Sequence, residues 1–475
     1  MKKISETWKT FWGGRSSDNL FRLDGAVPIY RAIPFGLQHV LSMFISNILP
    51  ILLLFLVVSA SRTVDPKVVS NGIRSAIFFA ALGTTIQLYP LGPVGSRLPA
   101  FTGVSFTYLG VLSVIGAQYG LSTMFLAVII GGAVMGILGL FAKYWVRFIR
   151  PIVSATVVFA LGLSLFLVGT KAFISYDVPG IVMDGVYQFD VAWPYLIVAF
   201  LSLITCLVWQ VLVKGVWKNL SILAGLIVGY IAALCFTPYN GMVQFASLEI
   251  KAVTDVVDVP RPIFTLLPFS WGDFNIGAIL TVILFYLISG AECIGSITYL
   301  TSTGLDREAS HKELSGSMSA IGFASSLAGC FGGMPIAVYS QNVGIVGQTK
   351  VVNRFALFSG AVILFFLSFF PILSNFLLTI PDCVLGGCTM MLFASIAIVG
   401  MQMISQNGWT KKNITIVAIS LGLGYGITLI PEFTAGTYDL DFVNYLMLIF
   451  KNPVANMFVI SLILSYALPE SLNQE

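Results

Sequence analysis

Two short segments that each open with a proline, PAFTGVSF at 99–106 and PIAVYSQN at 335–342, interrupt the long apolar stretches of this chain. Each segment follows a lead that is rich in glycine and contains residues that suit extended backbone. Non-helical backbone at membrane depth is tolerated only where it is buried in protein or lines a cavity. The pair of breaks, one in each half of the chain, therefore predicts that a binding site lies between them.

The two segments can be aligned on their prolines. In this alignment Ser105 corresponds to Gln341, and Phe106 corresponds to Asn342. The alternative is that both segments are ordinary polar loops between membrane spans.

Outside these segments the chain is apolar enough to lie in a lipid bilayer. Of its 475 residues, 57% are hydrophobic and only 10% are charged, against roughly a quarter charged in a soluble domain. Apolar stretches of about 20 residues, each long enough to cross the hydrocarbon core, recur from end to end. We expect an all-α polytopic membrane protein with about fourteen transmembrane segments and no soluble catalytic domain. The segments are predicted at about 33–59, 73–89, 97–117, 122–142, 151–171, 193–213, 219–237, 275–300, 317–333, 337–350, 355–379, 384–406, 413–430 and 454–469.

The distribution of basic residues predicts the orientation of these segments. With the amino terminus in the cytoplasm, the inner loops contain most of the basic clusters, and both termini are cytoplasmic. Seven segments in each half give the two halves opposite orientations, which is the inverted-repeat plan of many secondary transporters. The basic residues of these loops are Lys143, Arg147, Arg150, Lys214, Lys218, Arg307, Lys312, Lys350, Arg354, Lys411 and Lys412.

Metals and nucleic acids are not expected as partners. The six cysteines form no CxxC pair or Cys/His cluster, so the sequence predicts neither a metal site nor a disulfide framework. The net charge of +4 comes from loop residues whose expected role is orientation in the bilayer.

Ionisable residues inside the apolar segments are rare, and Glu292 is the most informative of them. A charge in hydrocarbon is costly and is usually retained for function. The Glu292 carboxylate can accept hydrogen bonds from ring N–H groups of a heterocycle, or it can carry a proton; alternatively, it is a structural group bonded to a helix N-terminus. We expect His39, in the first span, to support the site rather than carry a proton, although a packing role is equally consistent with its position.

The run QNVGIVGQTK at 341–350 resembles the signature of the nucleobase–ascorbate transporter family. In that signature Gln, Glu or Pro precedes Asn-x-Gly, and after four more residues come Thr and then Arg, Lys or Gly. Other parts of the chain resemble the family in order and spacing, so the likeness extends over nearly its whole length. These parts are GLQHVLSMF at 36–44, GVSFTYLG at 103–110, RPIVSATVVFALGLSL at 150–165, AECIGS at 291–296 and IPDCVLGG at 380–387.

This resemblance implies a fold of fourteen segments in two inverted sevens, with short extended strands in segments 3 and 10. It also implies an elevator-like movement of a core domain against a gate domain, proton-coupled uptake, a homodimer formed through the gate domain, and location in a bacterial plasma membrane. No cofactor other than the coupling proton is expected. The implied divisions are a cytoplasmic lead at 1–30, core halves at 31–142 and 274–380, gate halves at 143–240 and 381–470, and an extracellular loop at 241–273.

The same resemblance implies a nucleobase site. Glu292 would accept from ring N–H groups, the Gln341 amide would pair with an adjacent oxo/N–H edge, and Phe106 would offer its backbone N–H and its ring. The predicted substrate-binding residues are Glu292, Gln341, Phe106, Ser105 and Ser340, and the predicted supporting residues are His39, Asn342 and Thr349.

The identity of residue 341 favours one branch of the family. Gln341 resembles the xanthine and urate branch, whereas uracil permeases tend to have Glu there and the ascorbate branch has Pro. Ile321 departs from the pattern, since many purine-carrying relatives have Asp or Asn at this position. Either proton coupling then depends on Glu292 alone, or transport is facilitative.

Three alternatives remain open at this point. They are a uracil permease of the same family, an anion transporter or channel of a related seven-plus-seven architecture, and an intramembrane enzyme. The extended segments contain no Lys or Arg after their prolines, which disfavours the anion transporter. An intramembrane enzyme would need clustered Asp and Glu or a His/Asp/Ser constellation, and one buried Glu with a distant His provides neither.

Overall fold

A computed structural model describes residues 17–430 and 450–471 of the chain, apart from 60, 177, 179, 184–185, 215–217, 219, 241, 244–256 and 470. Parts of the predicted lead at 1–30 and of the predicted outer loop at 241–273 therefore lie outside the described residues.

The first half contains α1 Ile29–Ser59, α2 Pro66–Leu88, β1 Thr102–Val104, α3 Leu109–Tyr119, α4 Leu121–Leu140, α5 Ala142–Trp145, α6 Pro151–Phe173, β2 Val182–Met183, β3 Val186–Tyr187, α7 Phe189–Leu212 and α8 Ser221–Asn240. The second half contains α9 Ile276–Gly304, α10 His311–Cys330, β4 Ile336–Val338, α11 Ser340–Thr349, α12 Arg354–Leu367, α13 Pro371–Leu377, α14 Asp382–Gln406, α15 Lys411–Gly426 and α16 Pro453–Ala467.

Several of these helices are long and apolar enough to cross a membrane. Within the described residues there are seven by length and composition, namely α1, α4, α6, α7, α9, α14 and the stretch Lys411–Leu429 that begins with α15. The segment predicted at about 355–379 consists of two helices, α12 and α13, which together are apolar enough for one span and meet at an angle of 86°. Pro371 begins α13, and a proline has no N–H with which to continue the preceding helix. The count of fourteen spans and the inverted repeat stay predictions.

The helices pack in two groups. In the first group α4 packs against α10, and both α1 and α2 pack against α12; in the second, α6 packs against α14, α7 against α8, and α15 against α16. Glycines bring helices into close contact in both groups, since a Cβ on Gly322 would lie 2.2 Å from the backbone N of Gly136, and one on Gly162 would lie 2.3 Å from the backbone N of Ala397. Helix α9 contacts α4 of the first group and α6 of the second.

The two extended segments pair with each other at the centre of the first group. Strands β1 and β4 are antiparallel, with Gly103 opposite Ala337. The ladder continues through the N–H of Ser105, which donates to Pro335 O at 2.9 Å, and the N–H of Tyr339, which donates to Phe101 O at 2.9 Å. The predicted strands are therefore present, and they satisfy each other's backbone groups away from water.

Polar side chains of the neighbouring helices hold β1 in place. Asn47 of α1 accepts the N–H of Val104 at 2.8 Å and donates to Ala76 O of α2 at 3.1 Å. Thr84 of α2 accepts the N–H of Thr102 at 3.0 Å. Since an unpaired backbone group buried in an apolar interior is costly, these contacts fix the depth of the strand in the bundle.

The described end of the predicted lead packs against the connection between α11 and α12. Asn353 donates from Nδ2 to the carbonyls of Asn19 and Gly25, each at 2.9 Å. The buried Arg354 forms an ion pair with Asp24. This part of the lead is therefore packed against the helical bundle.

Candidate substrate-binding site

A narrow cavity lies at the boundary between the two helix groups. The β1/β4 pair, α1, α9 and α11 line one side of it, while Leu161 of α6 and Ile396 of α14 line the other. All five predicted substrate-binding residues are among its lining residues. The complete lining is Ser46, Val104, Ser105, Phe106, Leu161, Glu292, Ala337, Val338, Tyr339, Ser340, Gln341 and Ile396.

Glu292 supplies the acidic group of this cavity. It lies in the middle of α9 and is 5% exposed. Thr107 Oγ1 donates to Glu292 Oε2 at 2.9 Å. A carboxylate has about four lone-pair sites, so the group retains acceptor capacity for a ligand in the cavity that it lines.

Gln341 and Ser340 form the first turn of α11. No side chain caps the N-terminus of this helix, whose N-cap residue is Tyr339. The first N–H groups of a helix have no intrahelical acceptor and have partial positive charge. Ser46 Oγ donates to Gln341 Oε1 at 3.3 Å, and the hydroxyls of Ser296 and Ser340 are 3.2 Å apart. The start of α11 therefore presents both amide and backbone donors to the cavity.

Phe106 provides an aromatic wall. Its ring packs edge-on against Phe393 of α14, with 5.3 Å between the ring centroids. The preceding residue, Ser105, accepts the N–H of Thr107 at 3.3 Å and so begins the short turn that leads into α3. This turn connects the Phe106 ring to the Glu292 carboxylate through Thr107.

Larger cavities lie on both sides of this one. On one side Phe106 and Leu161 also line a groove that extends to Lys171 and Lys451. On the opposite side Gln341 also lines a polar vestibule that contains Gln348. The candidate site is thus a small compartment between two wider openings, with mainly apolar walls and a few polar groups.

The predicted supporting residues lie in two different places. His39 stacks on Phe101, with centroids 4.7 Å apart and planes 2° from parallel, and Asn342 Nδ2 donates to the His39 carbonyl at 3.2 Å. Both residues are buried beside the cavity without lining it. Thr349 instead bonds to Ile345 O at 2.9 Å at the far end of α11, so the structure does not bring it to the cavity.

Sequence reasoning missed three polar contributors. Ser46 lies two helical turns after His39 on α1, and that i, i+7 spacing would have indicated it. Thr107 lies within the segment GVSFTYLG, directly after Phe106, and its hydroxyl binds the Glu292 carboxylate. Tyr339 donates to Val104 O at 2.9 Å and so connects the two strands. Leu161 and Ile396 have no distinguishing signal, because apolar residues are common throughout their helices.

Among the residues that the structure describes, no group of three or more His, Cys, Asp or Glu is placed to hold a metal ion. The helical bundle contains apolar helices of membrane-spanning length and, between two helix groups, a compartment lined by Gln341 and the buried Glu292. This architecture defines a multi-pass membrane protein of the transporter class.

Comparison with known proteins identifies the family. The profile of a family described as "Permease family" matches residues 31–433. The chain belongs to this permease family, the nucleobase–ascorbate transporters, and is a permease rather than an enzyme.

Curated relatives match almost end to end. The chain is 29% identical to "Xanthine permease XanQ" of Escherichia coli strain K12 over 473 residues, which cover 97% of this chain and 96% of the relative. It is 28% identical to "Xanthine permease" of Bacillus subtilis strain 168 over 406 residues, covering 85% of this chain and 86% of that one.

Solved structures share the fold. The transmembrane domain of the cyanobacterial bicarbonate transporter BicA aligns with a TM-score of 0.56 at 13% identity, covering 95% of this chain and 99% of that chain. SLC26A9 aligns with a TM-score of 0.56 at 14% identity, covering 92% of this chain and 65% of that chain. At such low identity the likeness concerns the fold alone.

Proposed function

We propose that this chain transports a purine nucleobase of the xanthine and urate type. The main observation is that the Glu292 carboxylate, the Gln341 amide and the Phe106 ring face one buried cavity. The relatives named as xanthine permeases, which match along nearly the whole chain, support the same substrate class.

The chemistry of the cavity suits a flat ring with a rigid edge of donors and acceptors. Glu292 accepts from ring N–H groups, and the Gln341 amide pairs with an adjacent oxo/N–H edge. The uncapped start of α11 and the N–H of Phe106 supply donors for oxo groups, while the Phe106 ring packs on the base. Leaving one buried partner unpaired costs about 1–3 kcal/mol, which is enough to discriminate between bases.

The arrangement of the two helix groups supports an elevator-like cycle. Most of the cavity lining belongs to the first group, and the second group contributes only Leu161 and Ile396. A substrate held by the first group would therefore move with it when that group slides along the second. In this proposal residues 31–142 and 274–380 form the moving core, and residues 143–240 and 381–470 form the gate and the contact of a homodimer.

The proposed coupling ion is a proton held by Glu292. The side chain of Ile321 is aliphatic and buried in α10, and Glu292 is the only acidic residue among the described residues that line the cavity. Uptake into a bacterial cell, with both termini cytoplasmic, completes the proposal.

Binding measured on purified protein tests the substrate class. Xanthine, urate, guanine, adenine, uracil and ascorbate are titrated into the wild type, into Glu292→Gln, and into Glu308→Gln as a control that removes an exposed carboxylate. We expect tight binding of an oxidised purine, a loss of about 10- to 150-fold in Glu292→Gln, and no change in Glu308→Gln, because a charged hydrogen-bond partner contributes about 1.5–3 kcal/mol.

Other outcomes favour other functions. Preferential binding of uracil would identify a uracil permease of the same family. Failure to bind any base, or binding that is indifferent to Glu292, would reject the proposal in favour of an anion transporter. Among the described residues that line the cavity, none is Lys or Arg, and this disfavours the anion transporter.

A further inference from the structure

A second polar cavity lies at the start of α2 and shares no lining residue with the substrate cavity. One face of α2 lines it with Lys67, Ser70 and Arg74, which follow the i, i+3, i+7 spacing of neighbouring turns. The segment after residue 257 contributes Asp258 and Arg261 to the opposite side.

The charges around this cavity do not balance. Among the described residues that line it, Lys67, Arg74 and Arg261 are cationic, and Asp258 is acidic. Asp258 Oδ2 is shared between Arg74 Nη1 at 3.0 Å and Arg261 Nη2 at 3.3 Å. Its Oδ1 accepts the N–H of Val259 at 2.9 Å. One carboxylate thus faces two guanidinium groups and an ammonium group.

Arg74 also has an unsatisfied donor. Its side chain is 7% exposed, and its Nη1 donates to both Asp258 and Val259 O. Its Nε is buried and has no hydrogen-bond partner among the described residues. An unpaired buried donor on a charged group is costly, so a further acceptor beside Arg74 would stabilise this arrangement.

We propose that this cavity binds an oxyanion of the phosphate type. The planar guanidinium group of an arginine can donate two parallel hydrogen bonds to such an anion. The ammonium group of Lys67 and the guanidinium group of Arg261 add positive charge from opposite walls of the cavity. The anion is either a free phosphate or the phosphate of a lipid headgroup that carries a net negative charge. The second source is available because an apolar groove lined by Leu52, Phe55 and Leu377 adjoins the cavity through its shared residues Pro66 and Leu378.

Thermal unfolding of the full-length protein tests this site, because a ligand that binds only the folded state raises the unfolding temperature. In detergent, sodium phosphate is compared with sodium chloride at equal ionic strength, so that general screening cancels. In nanodiscs, phosphatidylcholine is compared with mixtures that contain phosphatidylglycerol. The variants are Arg261→Gln, whose side chain is half exposed, and Arg74→Lys, which retains the charge without the fork. The control is Arg62→Gln, which removes a cation outside the cavity.

We expect the anion to raise the unfolding temperature of the wild type and of Arg62→Gln equally. The concentration for half the effect should rise about tenfold in Arg261→Gln and Arg74→Lys. An effect of inorganic phosphate identifies a free anion, and an effect confined to phosphatidylglycerol identifies a lipid headgroup. No stabilisation beyond that of chloride and phosphatidylcholine, or equal stabilisation of all four proteins, would overturn the proposal. Xanthine binding should be unchanged in every variant, which separates this test from that of the substrate cavity.

Discussion

The two extended segments pair with each other as antiparallel strands, but they contribute different chemical groups to the cavity. In the first, Ser105 accepts the N–H of Thr107, so a side chain of the protein itself satisfies the start of the following turn. In the second, α11 begins directly after β4, and no side chain caps it. The second segment therefore presents open donors and the Gln341 amide, whereas the first presents the Phe106 ring.

The strands themselves are also unequal. A Cβ on Gly103 would lie 2.5 Å from the Tyr339 ring and 2.6 Å from Asn47 Oδ1, whereas the opposite position is occupied by Ala337. The first strand is thus constrained by what packs onto it, and the second has room for a side chain. The comparison shows that two similar segments can have different roles. The first segment is constrained mainly by packing, and the second supplies mainly hydrogen-bonding groups.

The largest loss of stability and binding is expected from a larger side chain at Gly103 of β1, because neighbouring atoms fill the space around this residue. Gly103→Val should abolish xanthine binding and lower the unfolding temperature, because overpacking here costs about 3 kcal/mol and displaces Tyr339 and Asn47. Ala337→Gly, at the position paired with Gly103, should lower the free energy of unfolding by only about 1 kcal/mol. Thermal unfolding and xanthine binding measure both, and equal damage from the two changes would contradict the proposed asymmetry.

A smaller effect is expected from the hydrogen-bonding segment. Gln341→Ala should weaken xanthine binding by about 10- to 100-fold, since it leaves a ring edge unpaired in a dry cavity. Gln348→Ala is the matched control, because Gln348 lies two turns further along α11 and lines the vestibule instead. Titration calorimetry measures both variants. A similar loss in each would indicate that the vestibule, rather than the cavity, selects the base.

The smallest effect concerns the two serines that follow the strands. Ser105→Ala removes the partner of the Thr107 N–H and should lower the free energy of unfolding by about 1 kcal/mol. Because the same turn positions Phe106, we expect xanthine affinity to fall by at most about fivefold. Ser340→Ala removes only a contact with Ser296 and should change affinity less than twofold. A larger loss from Ser340→Ala would mean that its hydroxyl binds the substrate directly.

Much of the candidate site was predictable from the sequence. The paired breaks indicated the strands, and Glu292 within an apolar segment indicated the acidic group, because non-helical backbone and charged side chains are both rare in apolar spans. The signature run indicated Gln341, although it also includes Thr349, which the structure places at the far end of α11.

Other features were not readable from the sequence. An apolar pattern shows that a helix is buried but not which helix it meets, so Leu161 and Ile396 could not be recognised as the opposite wall. The bend between α12 and α13 did have a signal in Pro371, but the residues on both sides of this proline together pass as one apolar stretch, and the angle between the helices is a property of their packing.

The sequence by itself determined that this chain is a helical membrane protein with two interrupted segments, a rare intramembrane carboxylate and the signature of a permease family. Only the tertiary structure decided that these parts share one cavity, and that the second helix group closes it. The physical reason is distance along the chain. Hydropathy and spacing are local properties, whereas Thr107 and Glu292 meet across 185 residues, and only the packing of the whole bundle brings them together.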